Sequence, residues 1–364
     1  MNCVTGVHKD GGKMKYIYGS YIKKIILFFL VILFFIGCDF NKSPSPYVFN
    51  GTYKLILVPV PEGGIYFPIG MRDNDTARVE KSFYIGETHV TYALWDTVAR
   101  WAIEKDVGQY YGFFHNHHDY ADSWKEIGKN VPITVGPYGE GKTSDGSVID
   151  IEPFHVIPVW CNAFTEWYNY KHGTNLVPVY QDSYGNPIRY INNYDNFFNS
   201  ANSDASGFRL PSQEEWELAA RWNGDITVNT VTKVINGINF SAQPIKFIKG
   251  NSASGTEANN TSENNRVAIY SGNVGDNLNP RDVKTKAPNF LGIYDMSGNV
   301  LDQTSSFQPL GKGGQIHAIS KGGHMESNSS EIAIGNYYTV WVYSPITGIQ
   351  PSKYNGFRVV RNKD

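Results

Sequence analysis

The chain has 364 residues, 41% of them hydrophobic and 18% charged, with a formal net charge of -2. This composition supports a folded globular protein with a sizeable core, and the near-neutral charge excludes the basic footprint that nucleic-acid binding needs. Three cysteines, Cys3, Cys38 and Cys161, are too few for a disulfide framework or a thiolate metal cluster.

The N-terminus reads as a leader. Lys23 and Lys24 precede twelve apolar residues, Ile25 to Ile36, which are followed by Gly37 and Cys38. Twelve residues are too short for an ordinary transmembrane helix and right for a secretory apolar segment. A small residue before a cysteine looks like a bacterial lipoprotein cleavage site. We therefore expect a signal peptide over residues 1–37, with Met14 as an alternative start, and lipid on Cys38. Several acyl chains would hold the product on a bacterial membrane, at the outer membrane or cell surface. Residues 38–50 contain Pro and Ser and read as a spacer, with the folded domain at 51–364.

Tyr53 to Phe67 predicts two extended runs around a Pro-Glu-Gly-Gly turn. A strand over SFYIGETHV follows. The next helix has Thr91 as its cap and Leu94, Val98 and Trp101 along one face. Residues 106–150 are polar, aromatic and insertion-like. His115, His117 and His118 there read as solvated loop rather than as metal ligands, because no nearby pattern completes a zinc site. His155 to Trp160 reads as a short strand or turn, and Cys161 to Tyr170 as a helix with a buried, inert thiol. A hairpin around Tyr-Gly-Asn comes next. In GFRLPSQEEWELAARW, Ser212 and Glu215 form a capping box, and Arg209 is placed for an ion pair. Residues 223–265 read as strand fragments and a long loop.

LGIYDMSGNV, KGGHM and NGFRVVR, together with GFRLPSQEEWELAARW, resemble motifs of the formylglycine-generating, sulfatase-modifying domain family. The resemblance spans about Tyr53 to Arg361. It implies an α+β fold, the formylglycine-generating-enzyme-like variant of the C-type lectin fold, loop-rich with short strands and two main helices. It also implies a strand at Gly-Ile-Tyr. The family's oxygen-using enzymes need two cysteines; the matching positions here are Ser327 and Ile332. Serine is no substitute for a redox-active or copper-binding thiolate, and isoleucine cannot ligate. Formylglycine-generating activity is therefore not expected, and no redox cofactor either. A different metal-dependent oxidation remains as an alternative, with His317, His324 and Glu326 as its available ligands.

The resemblance further implies a structural calcium site built from Asp295, Gly298, Val300 and Asp302. The other reading is that Asp295 and Asn299 satisfy turn amides. The sequence is also similar to non-catalytic, lectin-fold lipoproteins whose C-terminal region is diversified by a retroelement. That likeness makes His324, Glu326, Ser327, Asn328, Trp341 and Tyr343 the expected ligand-facing positions. The expected function is surface binding of a protein or glycan. A purely architectural surface lipoprotein is a second alternative.

Overall fold

The computed structural model describes residues 47–49, 53–104, 132, 139–142, 148–151, 153–189, 201–257, 260–276, 278–310, 315–341 and 354–363. The leader, Cys38 and the histidines at 115, 117 and 118 lie outside them. Residues Tyr47–Asp364 form one unit. The strands are β1 (Tyr47–Phe49), β2 (Tyr53–Val58), β3 (Ile65–Ile69), β4 (Asp75–Val79), β5 (Phe83–Gly86), β6 (Gly139–Lys142) and β7 (Val148–Ile151). They continue with β8 (Val234–Ile235), β9 (Ile238–Asn239), β10 (Leu301–Leu310), β11 (Gln315–Lys321), β12 (Tyr338–Trp341), β13 (Asn355–Gly356) and β14 (Val360–Asn362). The described helices are α1 (Tyr92–Glu104), α2 (Pro153–His172), α3 (Gln213–Arg221) and α4 (Thr261–Val267).

Two four-stranded sheets carry the architecture. One has the order β1-β2-β5-β14, so the C-terminal strand closes onto strands from the start of the domain. The other has the order β12-β11-β10-β13. Strand β1 falls within the segment expected as spacer. The terminal GFRVV run lies between two apolar cores. Phe357 and Val359 enter the core of α1 and α2, whereas Val360 enters that of α3 and β3–β5. This alternation follows from the two-residue period of an extended chain. In the first core, Trp95 and Trp160 stack at 5.3 Å, and Phe357 meets both rings edge-on. Cys161 is buried there, and burial pushes its thiol far above the ordinary range.

Local sequence explains most helix ends. Ser212 Oγ accepts from Glu215 N, and Glu215 returns the bond to Ser212 N. Arg209 clamps the same carboxylate with both terminal nitrogens, at 2.6 and 2.7 Å. Two expectations fail. His155 to Trp160 is helical, because α2 runs through Pro158. The missing proline N–H costs that helix one ladder bond, but its apolar face packs in the core on both sides of the break. The 223–265 stretch, expected as strand fragments and a long loop, runs into α4 at Thr261, capped by Asn260, whose side chain accepts from Glu263 N.

Helix α3 is joined by buried charge to β11 and to the turn between β3 and β4. Glu217 receives Lys321 Nζ at 2.8 Å and Arg221 at 2.7 Å, and Arg221 reaches on to Asp73 at 2.6 Å. Burial alone would raise Glu217; Lys321 and Arg221 outweigh it and hold the carboxyl below its usual range. One helical position earlier, Trp216 Nε1 donates to Asp302 Oδ2 at 2.8 Å, and Arg358 Nε donates to the same oxygen at 2.7 Å. Arg358 also donates to the carbonyls of Gly86, Tyr294 and Asp295. His89 Nε2 lies 3.3 Å from Asp302 Oδ1, and both side chains are at most 1% exposed.

Burial drives His89 down to about 4 from its ordinary 6.5; Asp302 opposes the shift and Arg358 adds to it. The unfolded chain therefore binds a proton at His89 between pH 6.5 and 4 that the native chain refuses. Stability from this group is present above 6.5 and is lost as pH falls toward 4, by roughly 3 kcal/mol. Asp295, raised to about 6 mainly by burial, has the opposite sign and loses stability as pH rises through 6. The wild-type curve alone hides both, so the test is a difference. Denaturant titrations of wild type and His89→Asn should converge by roughly 3 kcal/mol between pH 6.5 and 4. Parallel curves would contradict the assignment.

Candidate functional site

The turn over residues 295–300 organises the C-terminal lobe. Asp295, Gly298 and Asn299 have φ of 55°, 75° and 62°. Asp and Asn tolerate this left-handed region better than other side chains. At Gly298 only glycine fits, because a Cβ would sit 2.0 Å from the Ile269 carbonyl oxygen. The side chains of the other two reach one neighbouring segment. Asp295 Oδ2 accepts from Lys284 N at 2.9 Å, Asn299 Oδ1 accepts from Arg281 N at 2.9 Å, and Asn299 Nδ2 donates to Arg281 O at 3.0 Å. The backbone faces the other way: Gly298 N donates to Gly322 O, and Asn299 O accepts from Met325 N. One turn thus supports the 281–284 segment and the 322–327 loop together. The expected Gly-Ile-Tyr strand is not formed; this region is turn and irregular chain.

The 322–336 loop is hydrogen-bonded along its length. His324 N donates to Ser327 Oγ, Glu326 N donates to His324 Nδ1, and Ser327 N donates to His324 O. Asn328 Oδ1 accepts from the backbone of Ser330 and Glu331, and Asn328 N donates to Glu331 Oε2 at 2.7 Å. Ser252 O and Gly250 O receive Ile334 N and Gly335 N. Beside this loop, the His324 ring stacks on Tyr354 at 4.1 Å and 13° and meets Tyr338 at 5.8 Å. Ser327 Oγ and Tyr338 Oη are 2.7 Å apart.

Of the expected ligand-facing positions, the structure brings His324, Glu326, Ser327 and Asn328 onto this one loop. Asn328 is exposed, and His324 and Glu326 are half-buried. Ser327 is fully buried, so the expectation that it faces a ligand fails; its hydroxyl holds the loop to β12. Trp341 lies at the end of β12, paired in register with His317. Tyr343 lies outside the described residues. The rings of Tyr338 and Tyr354 frame His324, and neither was among the expected ligand-facing positions. The period-two pattern of NYYT was the available signal: Tyr337 and Thr339 are exposed, and Tyr338 between them turns inward.

Of the four residues expected to hold calcium, Asp295 and Asp302 each give one carboxylate oxygen to protein donors, while Asp302 Oδ1 is buried without a hydrogen-bond partner among the described residues. Asp302 Oδ2 is taken by Trp216 and Arg358, and Asp295 Oδ2 by Lys284 N. The alternative reading of Asp295 and Asn299 as partners for backbone amides matches the geometry. No group of three or more His, Cys, Asp or Glu among the described residues is placed to hold a metal ion, so His317, His324 and Glu326 do not assemble into one. Ile332, at the second of the family's cysteine positions, is sealed among Ala253, Val267, Ala268 and Tyr270.

Comparison with known proteins gives the fold a family. The model of the sulfatase-modifying factor enzyme 1-like domain matches residues 57–363. Among solved structures, Treponema denticola variable protein 1 aligns with a TM-score of 0.52 at 20% identity, over 85% of this chain and 95% of that one. CarF aligns with a TM-score of 0.54 at 20% identity, over 85% of this chain and 98% of that one. No curated protein matches. With a family match that runs from β2 to the last described residue, this chain belongs to the sulfatase-modifying factor enzyme 1-like family and has its α+β, formylglycine-generating-enzyme-like fold.

Proposed function

We propose that this protein is a lipid-anchored surface protein that binds an external protein or glycan through its C-terminal lobe and carries out no oxidation there. One observation carries the reading. The two positions that the family's enzymes fill with thiols hold a serine whose hydroxyl is bound to Tyr338 and an isoleucine closed in the core. Neither can form a thiolate, and no cysteine follows Cys161 in the sequence. Beside them, Asn328, Tyr337 and Thr339 face solvent from a loop and strand already fixed by hydrogen bonds. A rigid backbone bearing an exposed aromatic ring and short polar groups suits recognition, because little entropy is lost when a partner docks. The Treponema denticola protein of the same fold is a variable protein. On this chain we place any such variation between Gly323 and Gly356. The anchor rests on the leader pattern that ends at Gly37 and Cys38.

The full mature chain, screened on glycan and peptide arrays, should give selective hits. Replacing Tyr337 and Thr339 together by Ala should weaken those hits about tenfold or more. The melting temperature should hold, since both residues are exposed. Hits untouched by the replacement, or oxygen-dependent oxidation of a cysteine peptide by wild-type protein, would contradict the reading. For the anchor, Cys38→Ser should abolish incorporation of a labelled fatty acid and release the domain from membranes. Continued lipid labelling would refute that part alone.

A further inference from the structure

A second concave site lies on the far side of the 295–300 turn. A groove of about 360 Å³ is lined by Ile269, Asn273, Arg281, Asp282, Thr285 and Lys286. We propose that this groove binds an oxyanionic group, such as a phosphate, sulfate or carboxylate, carried by a small organic molecule. The inference is independent of what the C-terminal lobe recognises.

The groove is built rather than incidental. Its cationic wall is the segment that Asp295 and Asn299 grip by the backbone at residues 281 and 284. Two residues at positive φ therefore spend their side chains on positioning that wall. The wall's own side chains are oriented as well. Arg281 Nη2 donates to Val274 O at 3.1 Å, and Lys286 Nζ donates to Asn265 O at 2.9 Å. An ammonium has three N–H donors, so Lys286 keeps two beyond this bond for a ligand. Arg281, held by its own contacts, adds a second positive charge to the same wall. The Asn273 amide is committed to the 265–270 turn and serves as scaffold.

Charge gives the sign of the ligand. Arg281 and Lys286 against Asp282 leave the groove with a net positive charge of one, on a chain whose formal total is -2. A single oxyanion fills only part of 360 Å³. The remaining space lies against Ile269, an apolar floor that packs with Val300 and Met325, and beside the exposed Thr285. An organic body of mixed polarity suits it, with Asp282 as acceptor for a hydroxyl or ammonium group.

The test uses inorganic phosphate, sulfate and acetate, each titrated into the full mature chain, with chloride at matched ionic strength as the control. Amide chemical shifts of residues 269–286 should change saturably with at least one oxyanion, and the most effective one identifies the group. Lys286→Met and Arg281→Gln should each weaken that binding about tenfold, as loss of a charge-assisted hydrogen bond implies. Lys171→Met, on the exposed end of α2, should leave it unchanged. Lys286→Met keeps the aliphatic stem, so it decides the matter if Arg281→Gln disturbs the fold through Val274. The proposal is overturned if chloride reproduces the shifts, or if a folded Lys286→Met protein binds the anion as wild type does.

Discussion

Two carboxylates, Glu217 and Asp302, are held inside this protein with their charges matched, and the C-terminal sheet is fixed to the rest of the chain through them. Glu217 ties α3 to β11 by Lys321, and Asp302 ties β10 to α3 by Trp216 and to the terminal segment by Arg358. Each interaction joins residues far apart in sequence, so none forms until the lobes have met. Pairs of this kind add little net stability, because the cost of removing the ions from water offsets their attraction. Removing one partner is expensive, on the order of 3–5 kcal/mol, because the other charge stays buried. We take their role to be placement: a slipped sheet register would leave bare charges in an apolar core.

That constraint reaches the surface through short paths. Lys321 is followed at once by Gly322 and Gly323, which open the 322–336 loop. Arg358 donates to the carbonyl of Asp295, which begins the turn that supports the same loop. Gly335 then packs against Gly70, where a side chain would overlap the backbone at 2.4 Å. Gly70 in turn donates its N–H to Glu217. The loop's two ends are thus anchored to the same buried network. Between them, the Ser327–Tyr338 hydroxyl contact and the His324–Tyr354 stack fix its middle. These contacts and the hydrogen bonds at its ends hold the loop along its length.

Much of this was legible in the residues, because local chemistry decided it. The Ser212–Glu215 box, the Arg209 pair and the buried Cys161 follow from short-range rules, and the family motifs supplied the fold. The failures came where distant contacts decide. His155 to Trp160 read as strand or turn, yet the helix passes through Pro158 because aromatic packing on Trp160 and Phe164 continues on one face. Nothing local announces that Trp216 and Arg358 reach Asp302 from 86 and 56 residues away. Ser327 read as a surface hydroxyl because exposure of a loop residue depends on what folds over it. Asn299 was legible as a turn residue but not as the clamp on Arg281, which lies outside the motif.

Under the proposed binding role, the 322–336 loop is preformed in the free protein by these internal bonds. Amide hydrogen exchange across residues 324–336 of the unliganded, full mature chain addresses it directly. Met325, Ser327, Ile332 and Ile334 donate their N–H groups to Asn299, His324, Asn328 and Ser252. They should therefore exchange orders of magnitude more slowly than an unstructured chain of the same sequence. Exchange at unstructured rates through that stretch, while β10 and β11 stay protected, would contradict the account.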